Sequence, residues 1–232
     1  MQECAVAHSS TEAEEQLRRN RDGTHGPAEG LTIDLREKRN QIRSRERVRD
    51  LAEVYTDEVE VGVMLDLVPD MFESIDSTFL EPACGDGNFL VEILERKSSA
   101  IDEQRHGGTE SWVEMAVLRC VASIYAIDIS EDNINECRLR MATRAQEIAK
   151  RFGMRPSSRF TAALAMVLET NVVVGDTLNG AEKIEFVGWR VVEGEKFVRT
   201  RFPLVEQEFD LFYTAPEPGP AVHFGDLHLE MG

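Results

Sequence analysis

The sequence predicts an α/β domain built on an open, mostly parallel sheet with helices on both faces. Three observations point to it. Three short apolar runs each end in an acid, at Glu81, Asp128 and Asp176. Amphipathic helix-forming stretches lie between them, and a glycine-rich turn follows the first run. Parallel neighbours need crossovers of a dozen or more residues, which these intervals provide. At 232 residues with 42% apolar side chains, the chain can bury one substantial core.

Residues 1–30 carry little apolar periodicity and close on Gly, Pro and polar residues, so a mobile tail is expected. Between Thr32 and Asp50 a basic helix is expected, with Leu35, Ile42 and Val48 among Arg36, Lys38, Arg39, Arg43, Arg45, Arg47 and Arg49. Such a segment can touch nucleic acid or an acidic partner, and the simpler reading is a solvated face against the acidic body. Residues 51–232 are expected to form the main domain. A helix from about 57 to 68 carries Val61, Met64, Leu65 and Val68, begins at a cap on Thr56 or Asp57 and stops before Pro69.

A strand at Thr78–Glu81, the turn Pro82–Asn88 and a helix from Phe89 to about Lys97 come next. Residues 98–110 read as a loop. A helix from Ser111 to Ala122 leads to a strand at Ser123–Asp128, then a long helix from Glu131 to Arg151 through Ile134, Cys137, Leu139 and Ile148. Asn171–Asp176 is the third strand. Ile184–Val192 and Lys196–Pro203 flank Glu193-Gly194-Glu195 as a hairpin. Phe209–Tyr213 is a further strand, and the proline- and glycine-rich stretch from Thr214 onward reads as irregular.

The net charge of -17 resides entirely in residues 51–232, which hold sixteen basic against thirty-three acidic side chains. A surface of that sign repels phosphates, which counts against unaided DNA binding. No run of eighteen apolar residues and no basic-then-apolar leader occurs, so a cytoplasmic protein without membrane attachment is expected. Cys4, Cys84, Cys120 and Cys137 show no metal-type spacing and read as reduced thiols, with no metal expected. His8, His25, His106, His223 and His228 fall in expected loops or tails, and none is assigned a role.

In a parallel sheet, ligands bind beyond the carboxyl ends of the strands. Gly85 and Gly87 let a ligand approach the backbone, and an acid closing the second strand suits a ribose diol. The wording of Phe79-Leu80-Glu81-Pro82-Ala83-Cys84-Gly85-Asp86-Gly87-Asn88-Phe89-Leu90 goes further. With Tyr55-Thr56 before it, and Ile124–Ile129 and Gly175-Asp176-Thr177-Leu178 after it, the chain resembles the N6-adenine DNA methyltransferases of restriction-modification systems over about residues 50–180.

That resemblance implies a Rossmann-like methyltransferase fold and S-adenosylmethionine as cofactor. It implies that Tyr55, Thr56, Glu81, Pro82, Ala83, Gly85, Gly87 and Phe89 surround the methionine end. Asp128 would take the ribose, Ile129 one adenine face, and Asp176, Thr177 and Leu178 the adenine edge. The family closes its fourth strand with Asn or Asp, Pro, Pro and an aromatic, which hold and stack the target base. Here Thr214-Ala215-Pro216-Glu217-Pro218 stands in that place, with neither an acceptor side chain at Ala215 nor a ring at Pro218. No catalytic residue is therefore assigned. Either an adenine methyltransferase of short form, completed by a partner or a homo-oligomer, or a catalytically inactive cofactor-binding subunit is expected. DNA would be reached through a partner subunit or the basic segment 36–49. A small-molecule or protein methyltransferase and an acidic DNA mimic are weaker readings, since neither accounts for the Pro-Ala-Cys-Gly turn.

Overall fold

A computed structural model of the chain describes residues 56–101, 109–205 and 217–230. The expected tail 1–30, the basic helix 32–50, Tyr55 and the strand Phe209–Tyr213 lie outside the described residues. Tyr55–Gly232 forms one compact unit.

Helix α1 (Glu58–Leu65) starts where Asp57 accepts a hydrogen bond from the Val59 N–H at 2.8 Å. It stops three residues earlier than the sequence suggests. Pro69 forces Val68 out of the helical region (φ -129°, ψ 50°), and Pro69–Phe72 forms a short 3-10 turn instead. Val61 and Leu65 are buried, whereas Met64 and Val68 are exposed.

Strand β1 (Phe79–Glu81) is followed by α2 (Asn88–Ser98), and α3 (Glu110–Ala122) precedes β2 (Ile124–Asp128). Helix α4 (Glu131–Arg151) keeps its expected bounds, with Ser130 as its cap. Its buried stripe is Ile134, Cys137, Met141, Ala145 and Ile148, all at 0% exposure. Leu139, expected on that stripe, is 62% exposed because position 139 falls on the opposite side of a 3.6-residue helix.

Helix α5 (Ser158–Asn171) has no counterpart in the sequence expectations. Ser157 caps it, and Phe160, Ala163, Leu164, Val167 and Leu168 form its buried face. Strand β3 (Val172–Val174) begins at the next residue, so the expected start of that strand at Asn171 is the last turn of a helix.

The strands pair in parallel in the order β1-β2-β3. Glu81 lies opposite Ala126 and Asp128 opposite Val174, so the three acids are staggered along the edge. Ile124, Ala126 and Val172 point into a core shared with the helices. Tyr125 and Ile127 point the other way. Among the described residues that second face is covered by Ile184, Phe186 and Leu204 of the hairpin region, where helices were expected.

The hairpin itself is as expected, with β4 (Glu185–Val192) and β5 (Lys196–Pro203) joined at Gly194 (φ 76°) and Glu195 (φ 56°). The stretch after Thr214 is more ordered than its composition suggests. Strand β6 (Ala221–His223) adds to β5, and Phe224–Glu230 forms a 3-10 segment that buries Phe224 and Leu227. His223, expected in an irregular tail, thus lies in a strand, 3.5 Å from the Glu195 carboxylate. Among the described residues no helix is long and apolar enough to cross a membrane.

Candidate cofactor site at the carboxyl ends of the parallel strands

The turn after β1 is held across the sheet edge by backbone contacts. The Cys84 N–H donates to the Ile127 carbonyl at 2.9 Å, and the Gly87 N–H to the Cys84 carbonyl at 2.9 Å. Gly85 (φ 53°) and Gly87 (φ 95°) are both left-handed, a conformation that side chains resist. A Cβ on Gly87 would stand 2.8 Å from Cys137 Sγ and 3.4 Å from its Cα, so the turn lies directly on α4. Gly87 also starts α2 without a side-chain cap. The first N–H groups of that helix have no intrahelical acceptor and suit an anionic group.

Asp128 organises this turn. Its Oδ2 accepts from the Gly85 N–H at 2.9 Å, and its Oδ1 from the Ser130 N–H at 2.8 Å and Asn133 Nδ2 at 3.2 Å. A carboxylate has about four acceptor positions, so roughly one remains for a ligand. Glu81, half-buried, accepts from the Ala83 N–H at 3.2 Å. Burial pushes its carboxyl above the usual range, and the Ala83 N–H partly offsets that. Pro82 and Ala83 are exposed along the turn.

Beyond β3, Thr177 reaches over the turn with a long 3.5 Å contact from its hydroxyl to the Pro82 carbonyl. Asp176 closes its own loop, accepting from the Leu178 N–H at 2.9 Å, the Asn179 N–H at 3.0 Å and Asn179 Nδ2 at 3.0 Å. The Asn179 side-chain amide, then the two N–H groups, hold its carboxyl below the usual range. Ile129 and Leu178 present apolar surface to solvent, Leu178 at 91% exposure. Phe89 is half-buried and packs against the helical core.

Glu81, Pro82, Gly85, Gly87, Asp128 and Thr177 are therefore brought together, whereas Phe89 turns inward and Asp176 is engaged with its own loop. Sequence reasoning missed the face of α4 that supports them. Asn133, Cys137 and Arg140 recur at helical spacing, a signal readable once α4 follows an acid-ended strand. Arg140 Nη1 donates to the Asp86 carbonyl at 2.9 Å and lies 2.8 Å from Asp86 Oδ1, and its Nη2 donates to Asn88 Oδ1 at 2.8 Å. Asn88 Nδ2 in turn donates to the Thr56 carbonyl at 3.1 Å. The thiol of Cys137, together with burial, pushes the Cys84 thiol above its usual range, which favours the protonated form.

A cavity of about 660 Å³ lies elsewhere, at the amino ends of β1 and β2, lined by residues including Asp76, Thr78, Arg119, Ser123 and Trp189. Arg119 is occupied there by the Asp76 carboxylate. Thr214, Ala215 and Pro216 lie outside the described residues. Glu217 and Pro218 are exposed, and the next residue, Gly219, donates its N–H to the Arg199 carbonyl in mid-β5 at 2.8 Å. No protein-family model, curated protein or solved structure matches this chain.

Proposed function

We propose that the chain binds S-adenosylmethionine across the carboxyl ends of β1, β2 and β3. In this reading it is a Rossmann-like, methyltransferase-type protein related to adenine-N6 modification of DNA, in a restriction-modification or phage-defence setting. The observation that carries it is the Gly85 N–H bound to Asp128, which seats a left-handed glycine turn on the acid-ended neighbouring strand. The donor set fits the ligand. The N–H groups at the start of α2, which has no side-chain cap, suit its carboxylate, and half-buried Glu81 suits its ammonium. The last acceptor position of Asp128 suits a ribose hydroxyl, while Ile129 and Leu178 offer apolar surface to the adenine. When bound, the cofactor supplies an electrophilic methyl group on sulfur.

Calorimetric titration with S-adenosylmethionine tests the reading. Asp128→Ala is expected to weaken binding by about 1.5–3 kcal/mol, the range for hydrogen bonds to a charged group. Undiminished affinity in that variant, or no heat with the wild type at millimolar ligand, overturns the assignment.

The Glu81 carboxyl adds a pH signature. Its ionised form binds an ammonium, so affinity is present above its raised pKa and lost as pH falls through it, in a window above the ordinary value of 4.5. The unliganded fold behaves oppositely. A raised carboxyl pKa contributes stability below the ordinary value that disappears as pH rises through the folded one. Titrations between pH 4.5 and 8 with Glu81→Gln should give a flatter affinity profile than the wild type. Parallel profiles would remove Glu81 from the site.

The position of Gly219 favours a second reading, a cofactor-binding subunit without transfer activity of its own. Pairing to Arg199 sets Glu217 and Pro218 beside the middle of β5, about 13 Å along the strand from Pro203. Pro203 is at the end that reaches Ile184, which packs on Gly175. Cofactor binding without methyl transfer to unmethylated DNA, alone or with neighbouring gene products, decides for this reading.

A further inference from the structure

Arg140 lies outside the buried stripe of α4. Its guanidinium spans from α4 to the glycine turn, with Nη1 on the Asp86 carbonyl at 2.9 Å and Nη2 on Asn88 Oδ1 at 2.8 Å. Its side chain is 28% exposed. Arginine carries donors only, so the group facing Nη2 must be the amide oxygen of Asn88. That leaves the amide nitrogen of Asn88 turned to the Thr56 carbonyl, 3.1 Å away. With the amide reversed, donor would face donor at Arg140 and acceptor would face acceptor at Thr56. Arg140 thereby sets the orientation of Asn88, and Asn88 holds Thr56, the residue before the cap of α1, beside the turn. The same guanidinium lies 2.8 Å from Asp86 Oδ1, an ion pair with a buried carboxylate oxygen that accepts no hydrogen bond among the described residues, between the two left-handed glycines.

We propose that Arg140 is a positioning residue for the amino-acid end of the cofactor. It acts by orienting Asn88 and Thr56 around the entrance to α2 and by cancelling the Asp86 charge where the ligand's own carboxylate is expected. This rests on the cofactor reading above. It makes a prediction that a purely structural role does not, because 5′-methylthioadenosine has the adenosine and sulfur of the cofactor and lacks the amino-acid end.

The experiment titrates S-adenosylmethionine and 5′-methylthioadenosine into wild type, Arg140→Met, Arg140→Lys, Asn88→Ala and the Arg140→Met/Asn88→Ala double variant, with thermal unfolding recorded for each. Arg140→Met should lose about tenfold or more in affinity for S-adenosylmethionine and less than about threefold for 5′-methylthioadenosine. Asn88→Ala should show the same selectivity, and the double variant should fall short of the product of the two losses. Arg140→Lys, which keeps the charge and loses the fork, should recover part of the affinity. Equal losses for both ligands, or none for S-adenosylmethionine, overturn the proposal while leaving the cofactor reading intact. If Arg140→Met does not fold, Asn88→Ala carries the same test through Thr56. A folded wild type that binds neither nucleoside overturns the cofactor reading and this proposal together.

Discussion

Gly87→Ala should lower the folding free energy by about 2–5 kcal/mol, and with it remove cofactor binding. Two independent costs add at that position. At φ 95° an L-residue forfeits about 1–2 kcal/mol of backbone energy relative to glycine. The new methyl also meets Cys137 Sγ at 2.8 Å and the Cys137 backbone at 3.4 Å. Overpacking of that kind costs about 1–3 kcal/mol when the neighbour cannot retreat. Here it cannot, because Cys137 is at 0% exposure on a helix whose stripe from Ile134 to Ile148 is equally buried. Moving α4 would also pull Arg140 and Asn133 away from the turn. Urea unfolding of Gly87→Ala, Cys137→Ala and the double variant separates the two costs. The thiol clash disappears in the double variant and the backbone cost remains, so coupling of opposite sign to the clash is expected. A Gly87→Ala protein as stable as the wild type would contradict the left-handed turn on which the candidate site is built.

The same turn shows how far the site was readable in advance. Glu81, Gly85, Gly87 and Asp128 announce themselves because acids at strand ends and paired glycines are local features of the chain. What local pattern cannot carry is the partner of each group. Asp128 reads as a free ribose acceptor, yet most of its capacity is taken by Gly85, Ser130 and Asn133, and Asp176 is likewise committed to Leu178 and Asn179. Arg140, fifty-two residues from Asn88, becomes legible only when α4 is laid against the turn.

In the fold, the strongly periodic α4 keeps both bounds, while α5 escapes notice although Phe160, Ala163, Leu164, Val167 and Leu168 repeat at helical spacing. It runs into β3 without an intervening loop, so no turn residue marks the change of period. Strand β6 is hidden for another reason. Three residues carry too little alternation to outweigh the prolines before them, and their order comes from pairing with β5 and from Leu227 packing beneath.

Lys97 should make stability rise with pH in a range where most proteins lose it. Its side chain is at 0% exposure on α2, with Nζ donating to the Ser77 carbonyl at 2.5 Å and lying 5.3 Å from the centre of the Phe79 ring. One carbonyl and one ring face replace little of an ammonium's hydration, so burial lowers its pKa from 10.5 to about 8. The unfolded chain then holds the proton more tightly than the native one between those values, and stability increases across that window. At 1.36 kcal/mol per pH unit the full span is about 3 kcal/mol, an upper bound once local relaxation is allowed. Cys120 works in the opposite direction. Burial pushes its thiol up to about 12, so its contribution is lost as pH rises from the ordinary 9.0. The raw stability curve mixes the two, and because Lys97 and Cys120 each shift the other's titration, the difference between proteins with and without Lys97→Met, both carrying Cys120→Ala, isolates the lysine. At pH 7 the variant sheds the buried charge but leaves the Ser77 carbonyl without its donor, a cost of about 1–3 kcal/mol, so the two proteins should lie close together. By pH 10.5 the neutral amine of Lys97 keeps that hydrogen bond at little penalty. The protein with Lys97 should then be the more stable by about 2–3 kcal/mol relative to its standing at pH 7. Chemical unfolding of both proteins at pH 7, 8.5 and 10.5 measures this, and a difference that stays flat with pH would place Lys97 in water.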